Sequence, residues 1–303
     1  MEQIHAVFKA AKRANSPVII QVSSSARKYA TDEFLKQFIV AINNEYPEIP
    51  YAIHQDHGGS FKICLSAMQV GFSSVMIDGS LMEDHKTPSS YEYNCEITKK
   101  VVEAAHSIGK GDKEDGHGFE GVLSKDKLLT DPQQAADFVK YTKVDSLAVA
   151  IGTSHGAYKF TKKPTEDILD IKRIAEISKA TNGVHLVMHG SSSVPQKYQD
   201  MINEFGGDIK QTYGVPIEEI QKGIKNGVRK VNIDTDLRMA FTAVLRKHLA
   251  NNPSDFDPRS LLKGAVSAIE DVCYERFCEF GSEGKADKVK IKTMSYFANH
   301  YYK

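Results

Sequence analysis

Six short, nearly unbroken apolar runs divide the chain, and their spacing constrains the fold more than any other feature of the sequence. They lie at 17–23, 50–56, 73–79, 145–152, 184–190 and 228–234. Runs of this length with little polar alternation are typical of parallel strands buried on both faces. Helix-type stretches separate most of them, at roughly 31–46, 60–70, 89–108, 167–180 and 216–226. This order predicts a parallel α/β fold, either doubly wound or a (β/α)8 barrel.

A polar, Gly-rich segment at 108–129 interrupts the order. The helix before it ends near Ser107. The helix after it begins with Pro132 in the first turn and with Thr130 or Asp131 as N-cap. No apolar run separates the two helices, although a crossover helix normally leads into a strand of the same sheet. Either a strand is missing here or the fold is irregular. The most polar, Gly-rich stretch, 109–118, is expected to be a loop, either solvated or folded over a site as a lid.

The composition of the chain limits its partners and its compartment. Lysine plus arginine and aspartate plus glutamate each number 39, so the formal net charge is zero, which argues against nucleic-acid binding by bulk charge. No apolar run approaches the roughly 20 residues of a membrane span. The four scattered cysteines form no CxxC pair and are expected to be reduced thiols. The N-terminus resembles neither a signal nor a transit peptide, so we expect a cytoplasmic protein without nucleic-acid or membrane partners.

Three histidines lie at or just after the end of a predicted strand, and a glycine follows each of them. They are His57, His155 and His189. The carboxyl ends of parallel strands meet on one face, where active sites form. A single such histidine is more often a hydrogen-bonded core residue, but three imidazoles beside an open position suit a catalytic zinc ion. The pattern predicts a shared metal, whereas His54 and His185 lie within their strands and are expected to pack or to support the site.

Asp56 precedes the first of these histidines. A carboxylate that lies beside a metal without binding it can act as a general base. The same side chain could instead cap the helix that follows or orient an imidazole. The local sequence leaves these interpretations open.

Polar residues at other strand ends favour a phosphorylated small-molecule substrate. Asn232 and Asp234 lie at the end of the last apolar run and Thr235 follows it, and Asp234 or Thr235 is expected to cap the next helix. Amides at the N-terminus of that helix could also bind an anion. The Ser-rich stretches at 189–193 and, more weakly, at 23–30 offer amides and hydroxyls that suit phosphate.

Several motifs together resemble those of the class II, metal-dependent fructose-bisphosphate aldolases. The matching stretches are "HQDHG", "SVMIDGS", "AVAIGTSHGAYKF", "VMHGSSSVP", "GVPIEEIQKGIKNGVRKVNIDTDLRMA" and "FDPR". The resemblance covers nearly the whole chain. It implies a single barrel domain over 1–303 with a C-terminal helical extension. It also implies reversible cleavage of fructose 1,6-bisphosphate into glyceraldehyde 3-phosphate and dihydroxyacetone phosphate.

The resemblance assigns roles to individual residues. It implies that His57, His155 and His189 bind Zn2+ and that Asp56 takes the proton from the C4 hydroxyl of the sugar. The metal would polarise the C2 carbonyl and stabilise the enediolate left after the C3–C4 bond breaks. The positions that the resemblance implies for substrate binding are Ser23, Gly156, Lys159, Gly190, Ser192, Asn232, Asp234, Thr235 and Arg259.

Ions and subunits are also implied. The loops that would hold the dihydroxyacetone-side phosphate and a monovalent cation, K+ or Na+, contain Gly156, Lys159, Gly190 and Ser192. Ser23 and Arg259 would lie at the other phosphate, with the arginine reaching across from a neighbouring subunit of a homodimer or homotetramer. Asp78 matches an acidic residue near the metal that in some members belongs to a second cation site.

The family pattern contains two strands that the apolar runs lack. One would precede residue 1 and one would lie near 109–111, so we expect a (β/α)8 barrel without its first strand and without one internal strand. Two alternatives stay open: a tagatose-bisphosphate aldolase, and a truncated, non-catalytic, aldolase-like metal-binding protein. A metal-dependent barrel hydrolase is disfavoured, because it requires a His-x-His pair on the first strand and usually a bridging lysine.

Overall fold

Strands and helices alternate along most of the chain. The computed structural model describes residues 1–82, 84, 86–116, 129–153, 160, 164 and 168–301. The strands are β1 Val18–Ser23, β2 Tyr51–Gly58, β3 Ser74–Ile77, β4 Gly111–Gly116, β5 Ser146–Val149, β6 His185–Met188 and β7 Val228–Val231. The helices are α1 Glu2–Ala14, α2 Ser24–Ala30, α3 Asp32–Glu45, α4 Phe61–Val70, α5 Tyr91–Ser107, α6 Pro132–Thr142, α7 Ile171–Ala180, α8 Gln196–Glu204, α9 Ile217–Lys225, α10 Thr235–Asn251, α11 Pro258–Glu279 and α12 Met294–Tyr301.

All the described strands belong to one parallel sheet. Their spatial order is the order of the chain, from β1 at one edge to β7 at the other. Each of the apolar runs predicted as a strand forms one. The predicted α/β class with parallel strands is therefore confirmed.

The segment predicted to be a loop contains a strand, so that prediction is wrong. β4 pairs with β3 on one side and with β5 on the other, from Ser74↔Gly111 to Gly116↔Val149. Its sequence, "GDKEDG", has no apolar residue, so periodicity could not reveal it. Ladder hydrogen bonds join backbone groups, and two flanking strands hold this polar segment in the sheet. The expected lack of an internal strand is corrected accordingly, and the last two residues of the loop-or-lid stretch, 117 and 118, lie outside the described residues.

The two outer strands approach each other through side chains. Lys230 on β7 donates a hydrogen bond to Oε1 of Gln21 on β1 at 2.6 Å. In the described part of the chain, the ladders run from β1 to β7 and none joins β7 back to β1. The described strands therefore form an open sheet whose first and last members lie within side-chain reach of each other.

Both faces of the sheet are buried. Val75 and Ile77 of β3 pack with α4 in one apolar cluster, and Met76 between them is fully buried on the opposite face. Ala148 and Val187, which are partners in the β5–β6 ladder, are also buried. This two-sided burial explains why the strands read as continuous apolar runs.

Side-chain caps fix the start of several helices. Ser60, Ser90 and Asp170 each accept a hydrogen bond from a backbone N–H in the first turn of α4, α5 and α7. Asp131 caps α6 directly before Pro132. Of the two N-cap candidates predicted from the sequence, Thr130 and Asp131, the aspartate is therefore the N-cap. The cap at Ser60 matters for the site, because it fixes where the chain leaves β2.

The long helices after the last strand pack against the start of the chain. Ala6 and Ala10 of α1 join Ile269 and Cys273 of α11 in one buried cluster. Burial raises the pKa of the Cys273 thiol to about 12, so this cysteine is a packing residue. Among the helices of the described residues, none has the length and apolar character needed to span a membrane.

Candidate metal and acid–base site

A one-residue bulge at the carboxyl end of β2 turns two adjacent side chains towards the same centre. Gln55 on β2 pairs with Val75 on β3, and the next pair joins Gly58 to Ile77. The stretch of β2 between these pairs is therefore one residue longer than that of β3. His57, inside the bulge, has φ +50°, a left-handed conformation uncommon outside glycine. Strand alternation would send Asp56 and His57 to opposite faces, but a bulge interrupts alternation. Both side chains therefore reach one centre.

Gly58 allows the bulged strand end to lie close to β3. A Cβ at this position would lie 2.6 Å from Sγ of Cys64 and 2.6 Å from the carbonyl oxygen of Met76. The backbone oxygen cannot move aside without disturbing β3. A residue without a side chain is therefore required after His57.

Asp78, just beyond β3, orients the ring of His57. Its Oδ2 lies 2.9 Å from Nδ1 of His57, and its Oδ1 accepts hydrogen bonds from the N–H and the hydroxyl of Ser80. A carboxylate at Nδ1 fixes the imidazole tautomer and leaves Nε2 for an ion. Nε2 of His57 lies 3.8 Å from Oδ2 of Asp56, on the side of the shared centre.

His189, directly after β6, packs its ring against that of His57. The ring centroids are 4.8 Å apart and the planes meet at 71°. Nδ2 of Asn232 lies 3.1 Å and 3.3 Å from the two ring nitrogens of His189. The hydroxyl of Thr153 donates to the carbonyl oxygen of His189 at 2.8 Å. Because β2 and β6 are not neighbours in the sheet, this contact shows that the sheet curves strongly.

The donor set formed by Asp56, His57 and His189 suits a metal ion. One ligand atom from each residue lies within 4.8 Å of the others. Imidazole nitrogen and carboxylate oxygen are both zinc ligands, at about 2.0–2.2 Å. Oδ1 of Asp56 is buried, and it has no hydrogen-bond partner among the residues that the structure describes. Such an acceptor is satisfied by an ion or by a substrate hydroxyl.

The contacts of Asp56 separate the interpretations that the sequence leaves open. Ser60, and not Asp56, caps α4. Asp78, and not Asp56, contacts Nδ1 of His57. Asp56 is buried opposite Ser23 in the β1–β2 ladder, with both imidazoles beside it. This position suits a carboxylate that exchanges a proton with a bound molecule.

A buried carboxylate holds the loop that follows β6. Asp236 of α10 accepts hydrogen bonds from the backbone N–H groups of Ser193 and Val194 and from the Ser193 hydroxyl. Arg276 of α11 completes a buried ion pair with Asp236 at 3.3 Å. The expectation that the amides of 189–193 face a phosphate is therefore corrected for Ser193, whose amide binds Asp236.

Two predicted substrate positions lie in the same loop. Gly190 has φ +63°, where glycine is favoured, and Oγ of the buried Ser192 lies 3.5 Å from the backbone nitrogen of Asp234. Asp234 occupies the N-cap position of α10 directly before Thr235, yet the helix has no side-chain cap bond. The predicted N-cap position is therefore confirmed, although the carboxylate of Asp234 makes no cap bond and instead pairs with Arg238 at 2.9 Å.

The other predicted positions are spread around the sheet. The hydroxyl of Ser23 accepts from the N–H of Ala26 at 3.3 Å and so caps α2. Arg259 is exposed at the start of α11 and pairs with Asp257 of the same turn at 2.7 Å. The predicted residues that lie outside the described part of the chain are His155, Gly156 and Lys159.

Two polar pairs near the site were not predicted from the sequence. Lys230 donates to Gln21 and to Oδ1 of Asn232, which itself contacts His189. Arg27 donates to Gln55 behind the bulge of β2. A signal existed for Lys230 and Gln55, because each is a polar residue inside an apolar strand. Arg27 lies on a short helix whose pattern gives no such sign.

Several known aldolases are similar to this chain. A sequence model of the family described as fructose-bisphosphate aldolase class-II matches residues 1–285. The fructose-bisphosphate aldolase of Nostoc sp. is 54% identical over 319 residues, which cover 100% of this chain and 89% of that relative. The fructose-bisphosphate aldolase class 2 of Synechocystis sp. is 53% identical over 319 residues, with the same coverage. The crystal structure of the YdjI aldolase from Escherichia coli K12 has a TM-score of 0.72 at 28% identity and covers 94% of this chain and 90% of that one.

Proposed function

The chain belongs to the class II fructose-bisphosphate aldolase family and is a lyase of that class, and on this premise we propose how its own residues cleave fructose 1,6-bisphosphate. The family and the reaction predicted from the sequence motifs are confirmed. The observation that carries the proposal is the convergence of the buried Asp56 and His189 and the partly buried His57, from two distant strands, on one centre.

His57 and His189 are the metal ligands in this proposal, and His155 is the third by its resemblance to the family motif. Zn2+ suits imidazole donors of this kind. Support comes from Asp78, which engages Nδ1 of His57 and leaves Nε2 towards the centre. When bound, the ion polarises the C2 carbonyl of the sugar and stabilises the negative charge that develops as the C3–C4 bond breaks.

Asp56 is the general base. Its Oδ1 takes the proton from the C4 hydroxyl, a carbonyl forms at C4, and glyceraldehyde 3-phosphate leaves. The electron pair of the C3–C4 bond stays with the other fragment, which becomes dihydroxyacetone phosphate when C3 is protonated. The buried position of Oδ1, without a hydrogen-bond partner among the described residues, supports this role, because a substrate hydroxyl would satisfy it.

The remaining assignments place the substrate around this centre. Gly190 and Ser192 bind the dihydroxyacetone-side phosphate and a monovalent cation, together with Gly156 and Lys159. Asn232, Asp234 and Thr235 bind the substrate at the end of β7. Ser23 binds the other phosphate, together with Arg259 of a second subunit. The exposure of Arg259 at the start of α11 supports a contact between subunits.

The wider architecture follows from the same proposal. We infer a barrel-type domain over 1–303 in which the helices after β7 form a C-terminal extension, and a homodimer or homotetramer. The consecutive parallel strands and the meeting of the β2 and β6 ends support the barrel. A cytoplasmic location is supported by the four cysteines, all of which are free thiols.

Zinc-dependent cleavage is the direct test. The purified chain, loaded with Zn2+, is expected to release triose phosphates from fructose 1,6-bisphosphate in a coupled assay and to lose that activity when a chelator removes the metal. Asp56→Asn keeps the shape of the side chain and is expected to retain metal while kcat falls by roughly 100-fold or more.

Three outcomes separate the alternatives. Faster turnover of tagatose 1,6-bisphosphate than of the fructose isomer would assign the other sugar. Stoichiometric zinc without turnover of either sugar would identify a metal-binding protein without catalysis. Full activity in Asp56→Asn would remove Asp56 from the mechanism.

A further inference from the structure

A buried arginine–glutamine pair lies behind the bulge of β2. Nη1 of Arg27 donates to Oε1 of Gln55 at 2.9 Å, and Nε2 of Gln55 donates to the carbonyl oxygen of Asp56 at 2.8 Å. Gln55 is fully buried and Arg27 is 8% exposed. By strand alternation, Gln55 lies on the helix side of the sheet, away from the centre that Asp56 faces.

The guanidinium of Arg27 is held rigidly by its other contacts. Its donors bond to Asp32 at 2.9 and 2.8 Å, to the Ser66 hydroxyl at 3.1 Å and to the Ile63 carbonyl oxygen at 3.3 Å, besides Gln55. The two bonds to Asp32 hold the pKa of that carboxyl below its usual range. Because a guanidinium has about five N–H donors, all of them are engaged. The guanidinium of Arg27 is therefore fixed in place, and it holds the side chain of Gln55 through their hydrogen bond.

The chemistry of arginine also fixes which way Gln55 points. A guanidinium donates hydrogen bonds and cannot accept them, so the amide of Gln55 must present its oxygen to Arg27. Its NH2 group then faces the carbonyl oxygen of Asp56. Arg27 thus determines that Gln55 is a donor to the strand end.

That carbonyl belongs to the peptide group between Asp56 and His57. Its direction sets ψ of Asp56 and φ of His57, and φ of His57 is +50°. A left-handed conformation in a residue with a side chain is unfavourable and persists only when its surroundings hold it. The hydrogen bond from Gln55 is one such restraint, and it acts at the peptide that turns both side chains inward.

We propose that Arg27 and Gln55 are positioning residues that hold the Asp56–His57 peptide, so that the carboxylate and the imidazole point into one centre. This inference rests on the proposed function, which gives Asp56 and His57 their roles as base and metal ligand.

Gln55→Glu is the sharpest variant, because it has nearly the same shape. The new carboxylate still accepts from Arg27, but an oxygen replaces the NH2 group that faces the Asp56 carbonyl. We expect kcat and the affinity for Co2+, measured by competition with a chelator, each to fall roughly 10- to 100-fold. KM should change little, and the visible absorption spectrum of the Co2+-loaded protein should differ from that of the wild type.

Two further variants control the comparison. Arg27→Lys keeps the charge but lacks the rigid fork, so it should change the same quantities in the same direction. Arg13→Lys is the matched control, because Arg13 forms an exposed pair between α1 and α11 with Asp271 at 2.8 Å; it should leave kcat, Co2+ affinity and the spectrum within about twofold of the wild type.

The outcomes distinguish this inference from the proposed function. A zinc-loaded wild type that cleaves no sugar refutes the proposed function, while Co2+ affinity and the spectrum still test the positioning role. An active wild type with an unchanged Gln55→Glu overturns the inference alone. If Gln55→Glu and Arg27→Lys both lose cooperative thermal unfolding, the pair serves folding and the inference is likewise overturned.

Discussion

At the scale of single residues, the site depends on an uncommon backbone conformation at His57 and on a glycine directly after it. The left-handed His57 and the following Gly58 let adjacent residues of β2 share a centre. Residue type and position at the strand ends were enough to select Asp56, His57 and His189 from the sequence. That Asp56 and His57 face the same way could not be predicted, because the bulge arises from the register between β2 and β3.

Gly58→Ala is expected to destabilise the protein. The added Cβ would meet Sγ of Cys64 and a backbone oxygen at 2.6 Å. Overpacking of this kind costs about 1–3 kcal/mol, measurable by urea unfolding. At Gly223 a Cβ would meet nothing closer than 3.5 Å, so Gly223→Ala in α9 should be neutral or stabilising. Equal losses of stability in the two variants would contradict the close-packing explanation.

Asp78→Asn is expected to weaken metal binding. The change removes the charge at Nδ1 of His57, and loss of such a partner typically lowers metal affinity roughly 10- to 100-fold. Competition with a chelator measures it. Asp255→Asn is a matched control, because Asp255 pairs with His248 at 2.8 Å on helix and loop residues outside the cluster. The prediction is contradicted if both variants keep the affinity of the wild type.

At the scale of elements, the apolar runs identified the strands whose side chains are apolar. They missed β4, whose place in the sheet rests on backbone hydrogen bonds to its neighbours. β4 has no apolar residue, yet ladders with β3 and β5 hold it. Cap residues predicted the start of α6 correctly at Asp131. They also placed the start of α10 correctly at Asp234, but the carboxylate of Asp234 makes no cap bond and pairs with Arg238, while Asp236 reaches across to the loop after β6. The local sequence does not show which of several possible partners a side chain will bind in the folded protein.

Asp236→Ala is expected to destabilise the packing of α10, α11 and the loop after β6. It would leave Arg276 buried without this partner and free two backbone amides. Breaking a buried pair in this way costs about 3–5 kcal/mol. Asp234→Ala removes the exposed pair with Arg238 two residues earlier and should cost no more than about 1 kcal/mol. Similar urea midpoints for the two variants would argue against Asp236 as the anchor.

At the scale of the whole molecule, the sheet order follows the chain, and α1 packs against the much later helix α11. The outer strands approach through Lys230 and Gln21, while α1 and α11 share a buried cluster. The repeated β-then-α units predicted parallel strands, but they fitted a doubly wound sheet as well as a barrel and so did not fix the consecutive order. The contact between the outer strands could not be predicted either, because it depends on the curvature of the whole sheet.

Lys110, just before β4, should make the free energy of unfolding vary with pH in the alkaline range. Its side chain is buried and donates to the carbonyl oxygen of Met68 at 2.6 Å, and burial lowers its pKa below the usual 10.5. Between the lowered value and 10.5, the unfolded chain binds a proton that the folded chain does not. Stability contributed by this group therefore rises with pH through that window and is lost as pH falls.

The comparison with Lys110→Met isolates this effect from other titrations. The Tm of the wild type minus that of the variant is expected to increase as pH rises towards 10.5. A difference that stays constant across the window would show that Lys110 has the same pKa in both states.

The meeting of His57 and His189 also has a consequence for the order of folding. Strand pairing links only neighbours along the chain, but these two rings come from β2 and β6, with four ladders between them. Contacts between such distant parts of the sequence form late, after the intervening strands have paired. A metal ion that needs both rings as ligands therefore cannot assist the first steps of sheet formation. Under the proposed function the ion would bind the finished molecule and stabilise it by mass action, so added zinc is expected to slow unfolding while leaving the early steps of refolding unchanged.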